Sequence, residues 1–323
     1  MRHTLLFFFL VFAAKAHAQI VASDDPSRAI LGAGNSLLNG GISGLQSNLT
    51  NQGTALIASE VNKSGKSFLD QYFAYSEFSV GLGAPTKPTF GALVVAPLSS
   101  REDVTNTFFN QTSIFSNDGR TTINLGLGYR RLAADNKALL GINVFYDQEF
   151  PYNHQRTSIG VEARTTAIEL NANRYLGVSD WRTVRDGGEE RALGGYDIEL
   201  GMALPYTPWA KVYGRKFTWY ALDGVDNLRG ADITFRAQVP ILPGLAIEAG
   251  HREYQSYTGT NFVRVSYNLL ASTKSRSQQI FTETAWTLKN MEEHRFDKVR
   301  RENLIVKQSR AKSGVSFKGY NSL

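Results

Sequence analysis

The sequence predicts an all-β fold: a twelve-stranded antiparallel transmembrane β-barrel, with a short N-terminal helix before it and a C-terminal tail long enough to thread the pore. Three observations carry this. First, Thr121–Arg164 alternates with period two. Ile123, Leu125, Leu127 and Tyr129 alternate with Asn124, Gly126, Gly128 and Arg130. Leu140, Ile142, Val144 and Tyr146 alternate with Gly141, Asn143, Phe145 and Asp147; Ile159, Val161 and Ala163 with Gly160, Glu162 and Arg164. That period belongs to strands, whose successive side chains point to opposite faces. Second, one face is apolar throughout, while the other, Phe145 apart, is too charged to pack as a core. A barrel apolar outside and polar inside satisfies both faces. Third, the candidate strands are even in number, which places both ends of a closed barrel on the same side.

In chain order the candidates are 74–82, 89–97, 103–116, 120–131, 137–149, 155–165, 167–178, 194–204, 208–219, 231–240, 244–254 and 261–272. The later strands keep the rule. Ile198, Leu200, Met202 and Leu204 oppose Asp197, Glu199 and Gly201; Ile233, Phe235 and Ala237 oppose Asp232, Thr234 and Arg236; Val263 and Val265 oppose Arg264 and Ser266. Short turns fall at Asn117–Gly119, Pro151–Asn153 and Leu242–Gly244, and longer connections at 179–193 and 220–230. Outer-membrane barrels set short turns on one rim and long loops on the other. Tyr75, Trp181, Tyr206, Trp209, Trp219 and Tyr220 lie near strand ends, as an interfacial aromatic girdle does.

The first residues carry a secretory pattern: basic Arg2, an apolar run from Leu5 to Ala14, and small residues at Ala16 and Ala18. Residues 1–18 are therefore expected to be a cleaved signal peptide. Residues 19–73 read as a linker rich in Gly, Ser and Asn, ending in an amphipathic helix near 54–73. Residues 74–272 form the barrel and 273–323 a basic post-barrel segment. Beyond the leader no apolar run reaches the ~18 residues of a membrane-spanning helix. Cysteine is absent, which excludes disulfides, thiol catalysis and thiolate metal sites.

Charge is localised. Residues 274–323 hold eleven Lys and Arg against five Asp and Glu, a surplus of six; the other 273 residues hold 24 of each sign. A basic tail on an exported chain is not the basic folded face that nucleic-acid binding requires, so no nucleic-acid partner is expected. Alternation assigns Arg130, Asp147, Glu149, Glu162, Arg164, Glu169 and Asp197 to the lumen, together with Glu199, Asp232, Arg236, Glu248, Arg252 and Arg264. Opposite charges attract more strongly in such a channel than in bulk water. The tail, with Arg295, Arg300 and Arg301, is expected to plug the pore over 274–306. About fifteen extended residues at ~3.3 Å each cross ~50 Å, which exceeds the ~30 Å hydrocarbon core.

Several motifs in order strengthen this reading: FFNQTSIFSNDGRTTINLGLGYRR at 108–131, GINVFYDQEF at 141–150, NHQRTSIGVEAR at 153–164, NRYLGVSDW at 173–181 and ERALGGYDIELGMALPYTPWAKV at 190–212. Together they resemble the translocator domain of inverse autotransporters, the intimin and invasin family. RFDKVRRENLIV at 295–306 resembles the segment that follows the barrel there. The resemblance implies a twelve-stranded outer-membrane barrel with a periplasmic N-terminus, in a Gram-negative bacterium. It also implies a post-barrel segment threading back through the pore, outer-membrane lipid around it, and assembly machinery and periplasmic chaperones as partners. No peptidoglycan-binding module or adhesive passenger is recognisable in this sequence, so adhesion does not carry over. Glu302 stands where the family tends to place asparagine.

Catalytic chemistry is sparse. His154, His251 and His294 are scattered and lack metal-ligand spacing such as HExxH. Asp147 and Glu149 share a strand face at i and i+2, a spacing open to acid–base work, but the arginines alternating beside them favour an ion-paired lumen. No catalytic residue, metal or cofactor is assigned, and a monomer is expected. Two rivals remain: a porin-like small-solute channel, with the tail outside the pore, and an outer-membrane hydrolase using His154 or His251.

Overall fold

The computed structural model describes residues 69–83, 86–271, 280–311 and 314–318. The expected leader, the linker and almost all of the 54–73 helix lie outside these residues; residues 69–72 are helical. The chain divides into two units, Met1–Gln71 and Tyr72–Leu323, and the barrel belongs to the second.

Twelve strands close the barrel: β1 (Tyr75–Gly83), β2 (Thr86–Pro97), β3 (Asn106–Asn117), β4 (Arg120–Ala133), β5 (Ala138–Phe150), β6 (His154–Arg164), β7 (Ile168–Gly177), β10 (Gly195–Leu204), β11 (Thr207–Trp219), β12 (Leu228–Gln238), β13 (Leu245–Tyr254) and β14 (Thr260–Asn268). Each pairs antiparallel with its neighbours, and β1 pairs with β14 through Val80 and Val265, so no edge remains open. Closure matters because lipid offers no partner for an exposed backbone amide. The long connection between β7 and β10 contains two short strands, β8 (Arg182–Thr183) and β9 (Glu189–Ala192). After the barrel, β15 (Lys307–Ala311) and β16 (Gly314–Lys318) join them in a four-stranded sheet of order β16-β15-β9-β8.

Exposure settles which face is which. Leu127, Ile142, Ile198 and Ile233 are 50–61% exposed, whereas Asn124, Asp147 and Arg156 are 0% exposed. The apolar face is outermost and the charged face innermost, the inverse of a water-soluble sandwich.

Strand ends differ from the sequence reading in places. β3 begins at Asn106 rather than 103, because the Asp103 carboxylate accepts hydrogen bonds from the amides of Thr105 and Asn106, both at 3.0 Å, and holds a turn. These bonds, led by that from Asn106, hold the Asp103 carboxyl below its ordinary value. β14 stops at Asn268 instead of 272. The rim rule holds only in part. Strand direction puts the short turns at 118–119 and 151–153 at the same end as the long connections 178–194 and 220–227. The opposite end carries 134–137, 165–167 and 205–206.

Inward aromatics depart from simple alternation for a steric reason. Phe145 stands opposite Gly126, Phe109 opposite Gly128, and Tyr213 opposite Gly201. Each ring lies over its glycine so closely that a Cβ there would come within 2.2–2.4 Å of ring carbon. The rings of Phe145 and Tyr213 lie between the wall and the segment that follows β14, whose Arg301 and Arg300 guanidinium groups are 4.2 and 3.8 Å from their centroids. Trp219, expected in the girdle, is also inward: it is 2% exposed and its ring centroid is 4.9 Å from that of Tyr175. Tyr75 likewise turns inward, donating to Glu77 Oε2 at 2.5 Å. Tyr206, at 50% exposure, keeps the girdle position.

Candidate functional site

The site is the lumen together with the segment that follows β14. That segment is pinned first at the end carrying the 134–137 turn. Trp286 Nε1 donates to Ala203 O at 2.9 Å, Thr166 Oγ1 to Thr287 O at 2.7 Å, and Met291 N to Asn136 O at 2.7 Å. Met291 is buried with Leu132 and Leu139. Arg295 lies at this rim, donating to the carbonyls of Arg101 at 2.6 Å and Asp103 at 2.9 Å rather than to a lumen carboxylate.

Residues 295–306 form no strand, so their backbone groups need other partners. Inward side chains supply them. Arg130 Nη1 donates to Arg295 O at 2.9 Å and Asp297 O at 2.6 Å. Arg156 donates to Glu302 O at 2.7 Å and Leu304 O at 3.0 Å. Asn173 reaches Arg300 O at 3.1 Å and Asn124 reaches Asn303 O at 2.9 Å. In the other sense, Val299 N donates to Gln111 Oε1 and Glu302 N to the Tyr175 hydroxyl, both at 2.8 Å. These partners come from β3, β4, β6 and β7, one arc of the wall.

The segment's own side chains reach further round. Lys298 Nζ lies 2.6 Å from Glu77 on β1. Arg300 Nε lies 2.5 Å from Glu199 on β10 and its Nη1 3.2 Å from Glu248 on β13, with the guanidinium 3.8 Å above the Tyr213 ring centroid. Arg301 grips Asp147 with both terminal nitrogens, at 2.9 and 2.7 Å, and stacks 4.2 Å above Phe145. Glu302 faces Arg215 at 3.4 Å and Arg252 at 3.9 Å. Lys307 pairs with Glu149. Guanidinium groups suit such places because their planar fork both pairs with a carboxylate and stacks on a ring.

All thirteen residues assigned to the lumen by alternation lie on the inward register. Arg130 pairs with Glu162 at 2.6 Å, Arg252 with Asp232 at 2.7 Å, and Arg236 and Arg264 with Glu248 at 2.6 and 3.4 Å. Arg164 lies 3.8 Å from Glu169, and Asp197 accepts from Tyr175 at 2.9 Å. Removing such charges from water is costly unless each is paired, and here each finds an opposite charge or a hydrogen-bond donor. Sequence reasoning missed Glu77, Arg156 and Arg215. Arg156 shares the parity of Glu162 and Arg164, and Arg215 that of Tyr213, so the signal was present. His154 opens β6, fully buried, with Nε2 3.4 Å from Glu190. A cavity of about 50 Å³ between Glu77, Glu248, Arg264 and Lys298 is far too small for a second chain.

At the far end β15 pairs with β9, setting Ser309 opposite Glu190, and turns back through β16. Val306 and Phe317 are buried there with Tyr175, Leu193, Phe217, Trp219, Leu228 and Tyr254.

A closed twelve-stranded barrel gripping its own post-barrel segment is matched by one family description: residues 33–303 fit "Inverse autotransporter, beta-domain". The chain belongs to the inverse autotransporter β-domain family. It is 28% identical over 221 residues to "Inverse autotransporter adhesin YeeJ" of Escherichia coli (strain K12), covering 65% of this chain and 9% of that protein. It is 34% identical over 130 residues to "Invasin" of Yersinia enterocolitica, covering 38% of this chain and 15% of that one. The inverse autotransporter chain thus spans a small part of these relatives. A solved structure described as "Unveiling the Mechanism Behind the in-meso Crystallization of Membrane Proteins" overlays with a TM-score of 0.60. That overlay covers 73% of this chain and 100% of the other at 23% identity, and bears on the fold alone. The inverse autotransporter domain is an outer-membrane barrel of translocator type, and lipid surrounds its apolar face.

Proposed function

We propose that this barrel is a non-enzymatic translocator and anchor, which threads its post-barrel segment through the pore from the periplasm to the cell surface of a Gram-negative bacterium. The observation that carries the reading is the grip on residues 295–306. Lumen side chains donate to carbonyls at Arg295, Asp297, Arg300, Glu302, Asn303 and Leu304, contacts available to any extended polypeptide. A channel for small solutes would keep that space for water. The 134–137 end then faces the periplasm, and the β8–β9–β15–β16 sheet faces outward. Residues 1–18 serve as the export signal and 19–73 as the periplasmic lead into the barrel. The thirteen inward charged residues line the pore, with Arg300 and Arg301 in the plug and Arg295 at its entrance. The barrel is monomeric and is delivered by periplasmic chaperones to the barrel-assembly machinery. Any adhesive role belongs to a passenger, as the name of the YeeJ relative indicates for that protein.

Conductance in planar bilayers tests the reading. The intact chain is expected to be nearly silent, and deletion of 274–323 to leave a large, steady channel. Equal, large conductance from both would overturn it. An epitope tag at Leu323 should be removed by protease added to intact cells.

A further inference from the structure

We infer that Arg300-Arg301-Glu302 sets the register at which the threaded chain halts, a role that rests on the threading reading above. The contacts divide sharply. From Arg295 to Leu304 the wall's donors mostly take backbone carbonyls, and these cannot distinguish one residue from the next. Three consecutive side chains break that indifference. Arg300 enters the Glu199–Glu248 pair, Arg301 takes Asp147 in two bonds, and Glu302 faces Arg215 and Arg252. These partners lie on β5, β10, β11 and β13, so the triplet is fixed from widely separated strands. Lys298 and Lys307 each add an ammonium contact on a flexible stem, a weaker positional signal than a forked guanidinium.

Slippage by one residue would carry Arg301 from the Asp147 wall to the Glu199 wall and set Glu302 against Asp147, a buried like-charge contact. Slippage by two would keep the walls but set Glu302 among the carboxylates that Arg300 now occupies. Every nearby register is therefore opposed by charge, while the carbonyl grip opposes none. A chain advancing through the pore stops where basic, basic and acidic residues meet acid, acid and base.

The absence of cysteine makes a direct test possible, since any introduced thiol is unique. In the full-length Arg310→Cys chain, residue 310 is at the mouth, where the native side chain is 41% exposed, and a membrane-impermeant maleimide added to cells should label it. Residues 300–304 (RRENL) are then reordered to NLRRE, which keeps length and charge but moves the triplet two places. If the triplet sets the register, the chain slides inward by two residues, ~7 Å. Position 310 then occupies the site of Gln308, which is 0% exposed, and labelling is lost. Unchanged labelling of a heat-modifiable, assembled barrel would overturn the inference. A second measurement uses Ile305→Cys, protected in the parent at 0% exposure. Replacing all three triplet residues with alanine should make it reactive, and continued protection would also overturn the register. Absence of labelling in the Arg310→Cys parent would instead remove the threading reading, and the register with it.

Discussion

Phe145 lies flat across Gly126 on the adjacent strand, so closely that a Cβ on the glycine would sit 2.2 Å from Cε1 of the ring. The other face of the ring carries the Arg301 guanidinium, 4.2 Å from its centroid. Wall, ring and post-barrel segment form three layers with no slack. Gly126→Ala should therefore push Phe145 into the lumen and disturb Arg301. Overpacking of this kind costs about 1–3 kcal/mol. The urea midpoint of the heat-modifiable band should fall accordingly. Gly214→Ala is the control: nothing lies within 4 Å of a Cβ there, so its midpoint should not fall.

The second prediction concerns the outer face. Leu127 is near the middle of β4 and 54% exposed. With lipid around it, Leu127→Arg should cost about 2–4 kcal/mol, as charges at the bilayer midplane do. Equilibrium folding into lipid vesicles measures this. A surface leucine of a water-soluble fold would accept arginine with little change, so a neutral result would contradict the lipid assignment.

Twelve strands were legible because alternation repeats along each, and parity fixes which charged side chains share one face of the sheet. The parts that were not legible share a physical cause. β8 and β9 span two and four residues, too few for a period to register. Residues 295–306 are expected in the pore, but their wall partners are not legible: carbonyls meet Arg130, Arg156 and Asn173, and backbone contacts leave no side-chain pattern to read. Trp219 resembled a girdle residue from its place at a strand end, but Gly195 opposite it opens room on the inner wall. The position of Glu302 became intelligible only once Arg215 and Arg252 were seen to converge on it.

Asp147 carries the third prediction. It is fully buried and holds Arg156 at 2.8 Å and Arg301 at 2.7 Å, one from the wall and one from the post-barrel segment. Asp147→Ala would leave two buried guanidinium groups without their shared carboxylate. Breaking a buried pair by deleting one partner costs about 3–5 kcal/mol. Arg301→Gln should cost less alone, because Arg156 still satisfies Asp147. The double substitution should be less destabilising than the sum of the two. A double-mutant cycle on the folded fraction in urea reads that coupling, and strict additivity would mean the Arg301 contact contributes nothing.

The last prediction separates holding the segment from holding the barrel. Arg130 bonds Glu162 through Nε at 2.6 Å and Nη2 at 3.2 Å while its Nη1 takes the carbonyls of Arg295 and Asp297. A lysine keeps the charge and one bond to Glu162 but has no fork to span both tasks. Arg130→Lys should therefore leave barrel assembly intact and loosen the segment near its entry. Hydrogen bonds to charged groups contribute about 1.5–3 kcal/mol each, and every 1.4 kcal/mol is tenfold in an equilibrium. Loss of one such bond should raise the open fraction in bilayer recordings about tenfold or more, as brief openings from a closed baseline. A trace as quiet as that of the unaltered chain would mean that the carbonyl grip of Arg130 does not hold the segment in place.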